Sequence, residues 1–268
     1  MRRREGIFTA DQQADTGVHP NQPGLGVSTS DDAPGLPYYL MRHYWWAYVW
    51  PPAVWFFDHQ PIINLIVFGQ YRKLVSNTLA ALTPKGRGRN LLIASAYGCV
   101  VPSLADRLRG ESLTVIDVAP IQLERATKKL GEARLQADTI RLERMNAENL
   151  VYCDGSYDRA LMFLLLHELP DDARRRTVEE AIRVLRPGGE LVMAEYGETT
   201  PTHPFHRFAV FRWILGTAEP YLPSFWRQNL DRLVGECALR SGKTAICESR
   251  SPIFGGFYRV VRYRIDAV

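Results

Sequence analysis

The sequence predicts an α/β fold, a mostly parallel sheet with a C-terminal antiparallel hairpin and an N-terminal helical aromatic cap. Three observations predict it. From residue 90, short apolar runs alternate with amphipathic stretches, the pattern of parallel strands joined by crossover helices. A turn of small residues follows the first run, and Asp117 ends the second run ~20 residues after Gly98, a spacing known from adenosyl-cofactor sites. Pro187-Gly188-Gly189 then stops a long helical stretch ahead of another apolar run.

Taken in order, residues 1–36 are rich in Gly, Pro, Asp, Gln, Ser and Thr without apolar periodicity, so they are expected to form a disordered arm. Residues 37–85 are expected to form the cap. Its first part crowds Tyr38, Tyr39, Tyr44, Trp45, Trp46, Tyr48, Trp50, Trp55, Phe56 and Phe57 around Pro51 and Pro52. A helix is expected from Ile62 to about Leu82. A membrane span needs ~20 continuous apolar residues, and Asp58, His59, Gln60 and the prolines interrupt this stretch. Tyr and Trp favour a lipid–water interface, so the segment reads either as a cap on the core or as a cap that also touches membrane or a greasy substrate.

Residues 86–268 are expected to form the main domain. Strands are predicted at Leu91–Ala96, Leu113–Val118, Ile140–Met145, Tyr157–Leu166 and Glu190–Glu195, with helices at Pro102–Leu108, Ile121–Gln136 and Pro170–Leu185. Residues 201–240 read as helical and irregular. The runs Thr244–Glu248 and Phe257–Ile265 read as the closing hairpin, with Arg262 and Arg264 alternating on its wet face.

The net charge of +4 and pI near 8.9 weakly favour an anionic partner such as a lipid surface. They fall short of the dense basic stripe that marks a nucleic-acid partner, and none is expected. Cys99, Cys153, Cys237 and Cys247 form no C-x-x-C pair, so a reducing compartment is the default. Met1-Arg2-Arg3-Arg4 is followed by acidic residues and no apolar core, unlike a signal peptide.

Ligands of open parallel sheets sit beyond the carboxyl ends of the strands. Three strand ends carry suitable groups. Ala94-Ser95-Ala96-Tyr97-Gly98 is a small-residue turn that lets a cofactor approach the backbone. Asp117, followed by Val118, can accept hydrogen bonds from both ribose hydroxyls. Asn146-Ala147-Glu148 can meet an adenine edge, and Leu164 is expected beside them. The absence of G-x-G-x-x-G and of a P-loop argues against NAD and against nucleotide triphosphates. His167, Glu168, Asp171 and Asp172 are the imidazole and carboxylate groups that fall near these strand ends. His167, Glu168 and Tyr97 are the candidate catalytic residues. Asp171 and Asp172 also suit the first turn of a helix, where negative charge is favoured. Tyr44, Tyr48 and Asp58 in the cap, with Tyr196 and His203, are the candidate substrate contacts.

Asn146-Ala147-Glu148-Asn149-Leu150 and Val184-Leu185-Arg186-Pro187-Gly188-Gly189 resemble the Rossmann-like class I methyltransferases that act on quinones. The glycine loop departs from them, because Leu92-Ile93-Ala94-Ser95-Ala96-Tyr97-Gly98 lacks the acid and the first two glycines. A closer resemblance is to the rhodoquinone-biosynthesis (RquA) family. It rests on Tyr44-Trp45-Trp46-Ala47-Tyr48, Gly69-Gln70-Tyr71-Arg72, Asp117-Val118-Ala119-Pro120-Ile121-Gln122, His167-Glu168-Leu169-Pro170-Asp171-Asp172 and His203-Pro204. Gly197, after Glu195-Tyr196, departs from that family's Asp-Tyr-His.

The RquA resemblance implies an enzyme that replaces a methoxy group of ubiquinone by an amino group, giving rhodoquinone. S-adenosyl-L-methionine (SAM) would be the amino donor and Mn2+ the metal, with His167 and Asp171 as candidate ligands. A polyprenyl quinone lives in lipid, so the resemblance implies a cytoplasmic protein peripheral to the inner membrane. Two other readings stand beside it: a methyltransferase acting on a quinone or small aromatic, and a non-catalytic quinone- or lipid-binding protein.

Overall fold

The computed structural model describes residues 27–28, 35–83, 86–131, 135 and 139–268. The expected disorder of the arm therefore lies mostly outside the described residues. Val27–Ser28 is an exception, being a two-residue strand, β1, rather than an unstructured arm.

The cap begins with a π-helical turn, Leu40–Tyr44, and continues as α1 (Trp45–Tyr48), α2 (Pro51–Phe57) and α3 (Gln60–Ile66). Proline opens α2 and sits in the first turn of α3, where its missing N–H would have no helical partner anyway. One continuous helix from 62 to 82 does not form. It breaks at Phe68 and Gly69, both left-handed at φ 53° and 75°, and restarts as α4 (Tyr71–Ala81). Gly69 takes that conformation without strain.

The main domain then runs β2 (Arg89–Ile93), α5 (Val100–Arg107), β3 (Ser112–Asp117), α6 (Pro120–Leu130), β4 (Ile140–Arg144) and β5 (Tyr157–Phe163). It continues through α7 (Asp171–Val184) and β6 (Leu185–Tyr196). Helices α8 (Pro204–Arg207), α9 (Ala209–Ala218), α10 (Leu222–Arg227) and α11 (Leu230–Arg240) precede the hairpin β7 (Lys243–Ile253) and β8 (Tyr258–Ala267).

The sheet order is β1-β4-β3-β2-β5-β6-β8-β7. Strands β1 to β6 pair in parallel, while β6–β8 and β7–β8 are antiparallel. Connections from β2 run outward to β3 and β4, and those from β5 run the other way to β6. Right-handed crossovers then place α5 and α6 on one face and α7 on the other. In keeping with this, α5 touches α4 and α6, and α7 touches α11.

Every residue of β5 is buried, as a central parallel strand requires. Its Arg159 is fully buried and answered by Glu111, Glu190 and Asn90. Several strands differ in length from the pattern reading, among them β7, which runs on to Ile253. β6 starts at Leu185, since Pro187-Gly188-Gly189 stays within the sheet and Gly189 pairs with Ile265. β5 ends at Phe163, so His167 is not a strand end but lies in a 3-10 turn, Leu166–Glu168.

Candidate functional site

The order of strands reverses between β2 and β5, and a crevice opens there beyond their carboxyl ends. The loops leaving both strands turn sharply. Ala94 and Leu164 hold left-handed φ values of 67° and 53°, rare for side-chain-bearing residues, and both line a cavity of about 390 Å³. Strained backbone of this kind clusters at functional sites.

One wall is the candidate cofactor wall, formed by Ala94 to Tyr97, Asp117 to Ala119, and Asn146 with Ala147. Asp117 accepts the Ser95 N–H at 2.8 Å and the Ala119 N–H at 2.9 Å, so it ties the first loop to the second. Burial raises its pKa to about 7, against the backbone N–H groups that pull it down. Gly98 stands behind this wall. A Cβ there would collide with the Tyr71 hydroxyl, so the glycine serves close packing rather than ligand contact. Glu148 is likewise drawn away, with its carboxylate taking the Tyr39 hydroxyl at 2.9 Å and the Arg176 guanidinium.

The opposite wall carries the acidic groups. His167 is buried, and its Nδ1 lies 2.8 Å from Glu195 Oε2. Glu195 also accepts the N–H groups of Leu165 and Leu166, which fixes the turn that presents the imidazole. Burial alone would lower the His167 pKa, but the charges of Glu195, Glu219 and Glu168 push it up to about 9. Its free Nε2 faces Glu168. Glu168 accepts the Tyr48 hydroxyl, and Glu219, at the end of α9, accepts the Tyr44 hydroxyl at 3.2 Å. Burial raises the pKa of both carboxyls, aided by repulsion from Glu219 at Glu168 and from Glu195 at Glu219.

One donor atom from each of His167, Glu168 and Glu219 lies within 4.8 Å of the others. Imidazole with two carboxylates is a donor set suited to manganese. The bond from Glu195 to the far ring nitrogen is the support that metal-bound histidines usually have. Asp171 does not join them, a correction to the sequence reading. It bonds Arg174 and the Ser224 hydroxyl on the exposed first turn of α7, as the helix-end reading favoured. Glu219 was missed because no local motif marks it. Glu195 did leave a signal, an acid directly closing the apolar run Leu191-Val192-Met193-Ala194.

Tyr44, Tyr48, Tyr97 and Tyr196 line the cavity. Tyr48 stacks on Tyr97 with centroids 5.3 Å apart, and Tyr196 meets His167 edge-on at 4.7 Å. The Tyr97 hydroxyl donates to the Ala47 carbonyl and accepts from Gln122, so Tyr97 offers its ring rather than a free proton. Two expected substrate contacts lie elsewhere. Asp58 is buried beneath the cap, paired with Arg125 and Lys129 and accepting the Gly98 N–H at 2.9 Å. His203 stacks on Phe257 and accepts from the Phe205 N–H, outside the cavity.

The fold is shared with known proteins. Residues 91–189 match the methyltransferase domain family. The domain resembles the demethylmenaquinone methyltransferase of Lactiplantibacillus plantarum at 28% identity, over 59% of this chain and 64% of that one. It also resembles the ubiquinone/menaquinone biosynthesis C-methyltransferase UbiE of Paracoccus denitrificans, at 28% over 51% and 54%. A third relative is the 27-O-demethylrifamycin SV methyltransferase of Amycolatopsis mediterranei, at 31% over 46% and 44%. The chain thus spans less than two thirds of the length of these relatives. Among solved structures, a SAM-dependent methyltransferase from Aquifex aeolicus superposes with a TM-score of 0.52 at 16% identity, over 80% of this chain and 97% of that one. The mitomycin 7-O-methyltransferase MmcR superposes at 0.54 and 18% identity, over 78% and 60%. These likenesses establish the fold.

Proposed function

We propose that this chain is a SAM-dependent enzyme that acts on the ring of a quinone. The reaction is exchange of a ubiquinone methoxy group for an amino group taken from SAM, as in rhodoquinone formation. The observation that carries this reading is the convergence of His167, Glu168 and Glu219 on the cavity that Asp117 and Tyr97 also line. Methyl transfer to a carbon needs a base at most. Displacing methoxide by an amine also benefits from a more electrophilic ring and a place to send protons.

Asp117 receives the ribose hydroxyls, and Asn146 with Ala147 borders the adenine. Tyr48 and Tyr97, stacked on one another, and Tyr196 form apolar walls for the quinone ring. His167, Glu168 and Glu219 would hold Mn2+, which as a Lewis acid supplies polarisation of a quinone oxygen. An α-amino group has a pKa of ~8, so little tuning is needed to free the amine, which sheds a further proton as it attacks. The nitrogen–ring bond forms, the ring–methoxy bond breaks and methanol leaves with that proton. The nitrogen–carbon bond to the cofactor breaks afterwards by elimination: nitrogen keeps the bonding pair and takes a proton, and the adjacent cofactor CH₂ gives one up as a carbon–carbon double bond forms. The apolar tail places the enzyme at the inner-membrane surface, since each buried CH₂ of a prenyl chain contributes roughly 0.8 kcal/mol.

The named activities of the quinone-methylating relatives support a second reading, methyl transfer to a quinone. Incubation of the purified protein with ubiquinone, SAM and Mn2+, followed by mass spectrometry, separates the two. A product lighter by the methoxy-to-amino exchange supports amination, and one heavier by a methyl group supports methylation. Neither product, with SAM bound, defeats both. Titration of Mn2+ followed by electron paramagnetic resonance tests the metal set independently, with at least tenfold weaker binding expected in Glu219→Gln.

A further inference from the structure

Helix α9 reads Ala-Val-Phe-Arg-Trp-Ile-Leu-Gly-Thr-Ala, and none of its ten residues is buried. Apart from Leu215, which packs partly against the core, core packing therefore does not account for its apolar character. Val210, Trp213 and Ile214 form one stripe at helical spacing, and Trp213 is 70% exposed. Across the cavity mouth, α3 shows the same feature, with Leu65 73% exposed beside exposed Ile66.

The two helices are joined. Phe211 meets Phe205 at 5.1 Å, and Phe205 meets Phe68, just beyond α3, at 4.5 Å. Ile66 of α3, Trp46 of α1 and Ala218 of α9 are at once exposed and part of the cavity lining. The apolar surface is thus continuous with the cavity. Its exposed charge is mostly positive, with Glu198 and Glu219 flanking the second segment. Segments 37–69 and 199–218 contain one acidic residue, Asp58, which is buried. Arg42, Arg207 and Arg212 are exposed there, and none of the three pairs with a carboxylate among the described residues. No helix among the described residues is long and apolar enough to cross a membrane.

We infer that α3 and α9 are the two lips of a lipid-docking surface that seats the cavity mouth on an anionic bilayer. Trp and Phe enter the interface, and the arginines meet the lipid phosphates, each contributing severalfold in affinity. This deepens the proposed function by naming the surface through which a prenylated substrate reaches the site from the bilayer.

The test is co-sedimentation with phosphatidylglycerol–phosphatidylethanolamine vesicles free of quinone, against phosphatidylcholine vesicles. The wild type is expected to bind the anionic vesicles at least about tenfold more tightly. Trp213→Glu/Ile214→Glu is expected to lose at least about tenfold, and Arg207→Gln/Arg212→Gln about twentyfold. Equal binding to both vesicle types overturns the proposal, as does an unaltered Trp213→Glu/Ile214→Glu variant. A dimer in light scattering that this variant dissolves also overturns it, since a second copy would then cover α9. SAM binding verifies that each variant is folded, and turnover of a short-tailed ubiquinone in solution reads the chemistry separately. Lost vesicle binding with turnover intact in the wild type defeats only the docking surface. Vesicle binding without turnover defeats only the proposed reaction.

Discussion

The Tyr48 hydroxyl donates to Glu168 across 120 residues of sequence, so a side chain of the cap holds a carboxylate of the main domain. Burial raises the Tyr48 pKa well above the usual phenol value, so this hydroxyl stays a donor at every working pH. Tyr48→Phe leaves the ring stacked on Tyr97 and removes this one bond. Turnover is expected to fall about tenfold, the order expected for one hydrogen bond to a charged group. Steady-state kinetics beside a melting curve checks this; turnover equal to wild type would show that the bond does not govern Glu168.

Asp117 serves two loops at once, and replacing it separates them. Asp117→Asn keeps an acceptor but turns a donor toward N–H groups that need an acceptor. SAM affinity is expected to drop about tenfold to a hundredfold by calorimetry, the worth of one or two hydrogen bonds to a charged group. Wild-type affinity in this variant would place the ribose elsewhere.

Asp58 joins the cap to α6 through Arg125 and Lys129 and to the cofactor loop through the Gly98 N–H. Asp58→Ala leaves two cations without their partner in a poorly solvated place. A loss of about 3 kcal/mol in unfolding free energy is expected, measured by urea denaturation. A loss below 0.5 kcal/mol would mean that the cap is held by its aromatic contacts alone.

His206 sits among Trp226 and Phe257, and its Nδ1 accepts the Thr200 N–H. Burial, aided by His203 and Arg212, lowers its pKa to about 4 from 6.5. The unfolded chain then binds the proton first as pH falls. The contribution of neutral His206 is fully present above pH 6.5 and is lost as pH falls toward 4. His206→Asn keeps an acceptor for Thr200 and does not titrate. Its melting temperature is expected to fall less between pH 6.5 and 4 than that of the wild type. Parallel curves for the two proteins would contradict this assignment.

The parallel sheet was legible because its strands are short apolar runs separated by amphipathic helices, a pattern that local sequence carries. Asp117 and the Ala94–Tyr97 turn were legible for the same reason, since chain order fixes which strand ends meet. Glu219, Asp58 and Glu148 were not. Their roles depend on which distant side chain arrives opposite them, and a carboxylate on a helix end looks alike whether it faces solvent, an arginine or a cavity. The break at Phe68-Gly69 did leave a sign, a glycine within an apolar helical pattern. Asp171 misled because acidic residues at a helix start satisfy the helix itself.

The bonds from the cap have a consequence for biogenesis. Tyr39, Tyr48 and Tyr44 find their acceptors 109, 120 and 175 residues later, on Glu148, Glu168 and Glu219. At a synthesis rate of roughly 5–20 residues per second, the aromatic segment waits on the order of ten to thirty seconds before its seat exists. Throughout that interval a run of tryptophans and tyrosines is outside the ribosome with no native surface to cover it. Contacts of such long sequence separation also slow folding. Closure of the cap helices over the crevice therefore waits for residue 219, and a nascent chain halted before it would present that greasy segment uncovered.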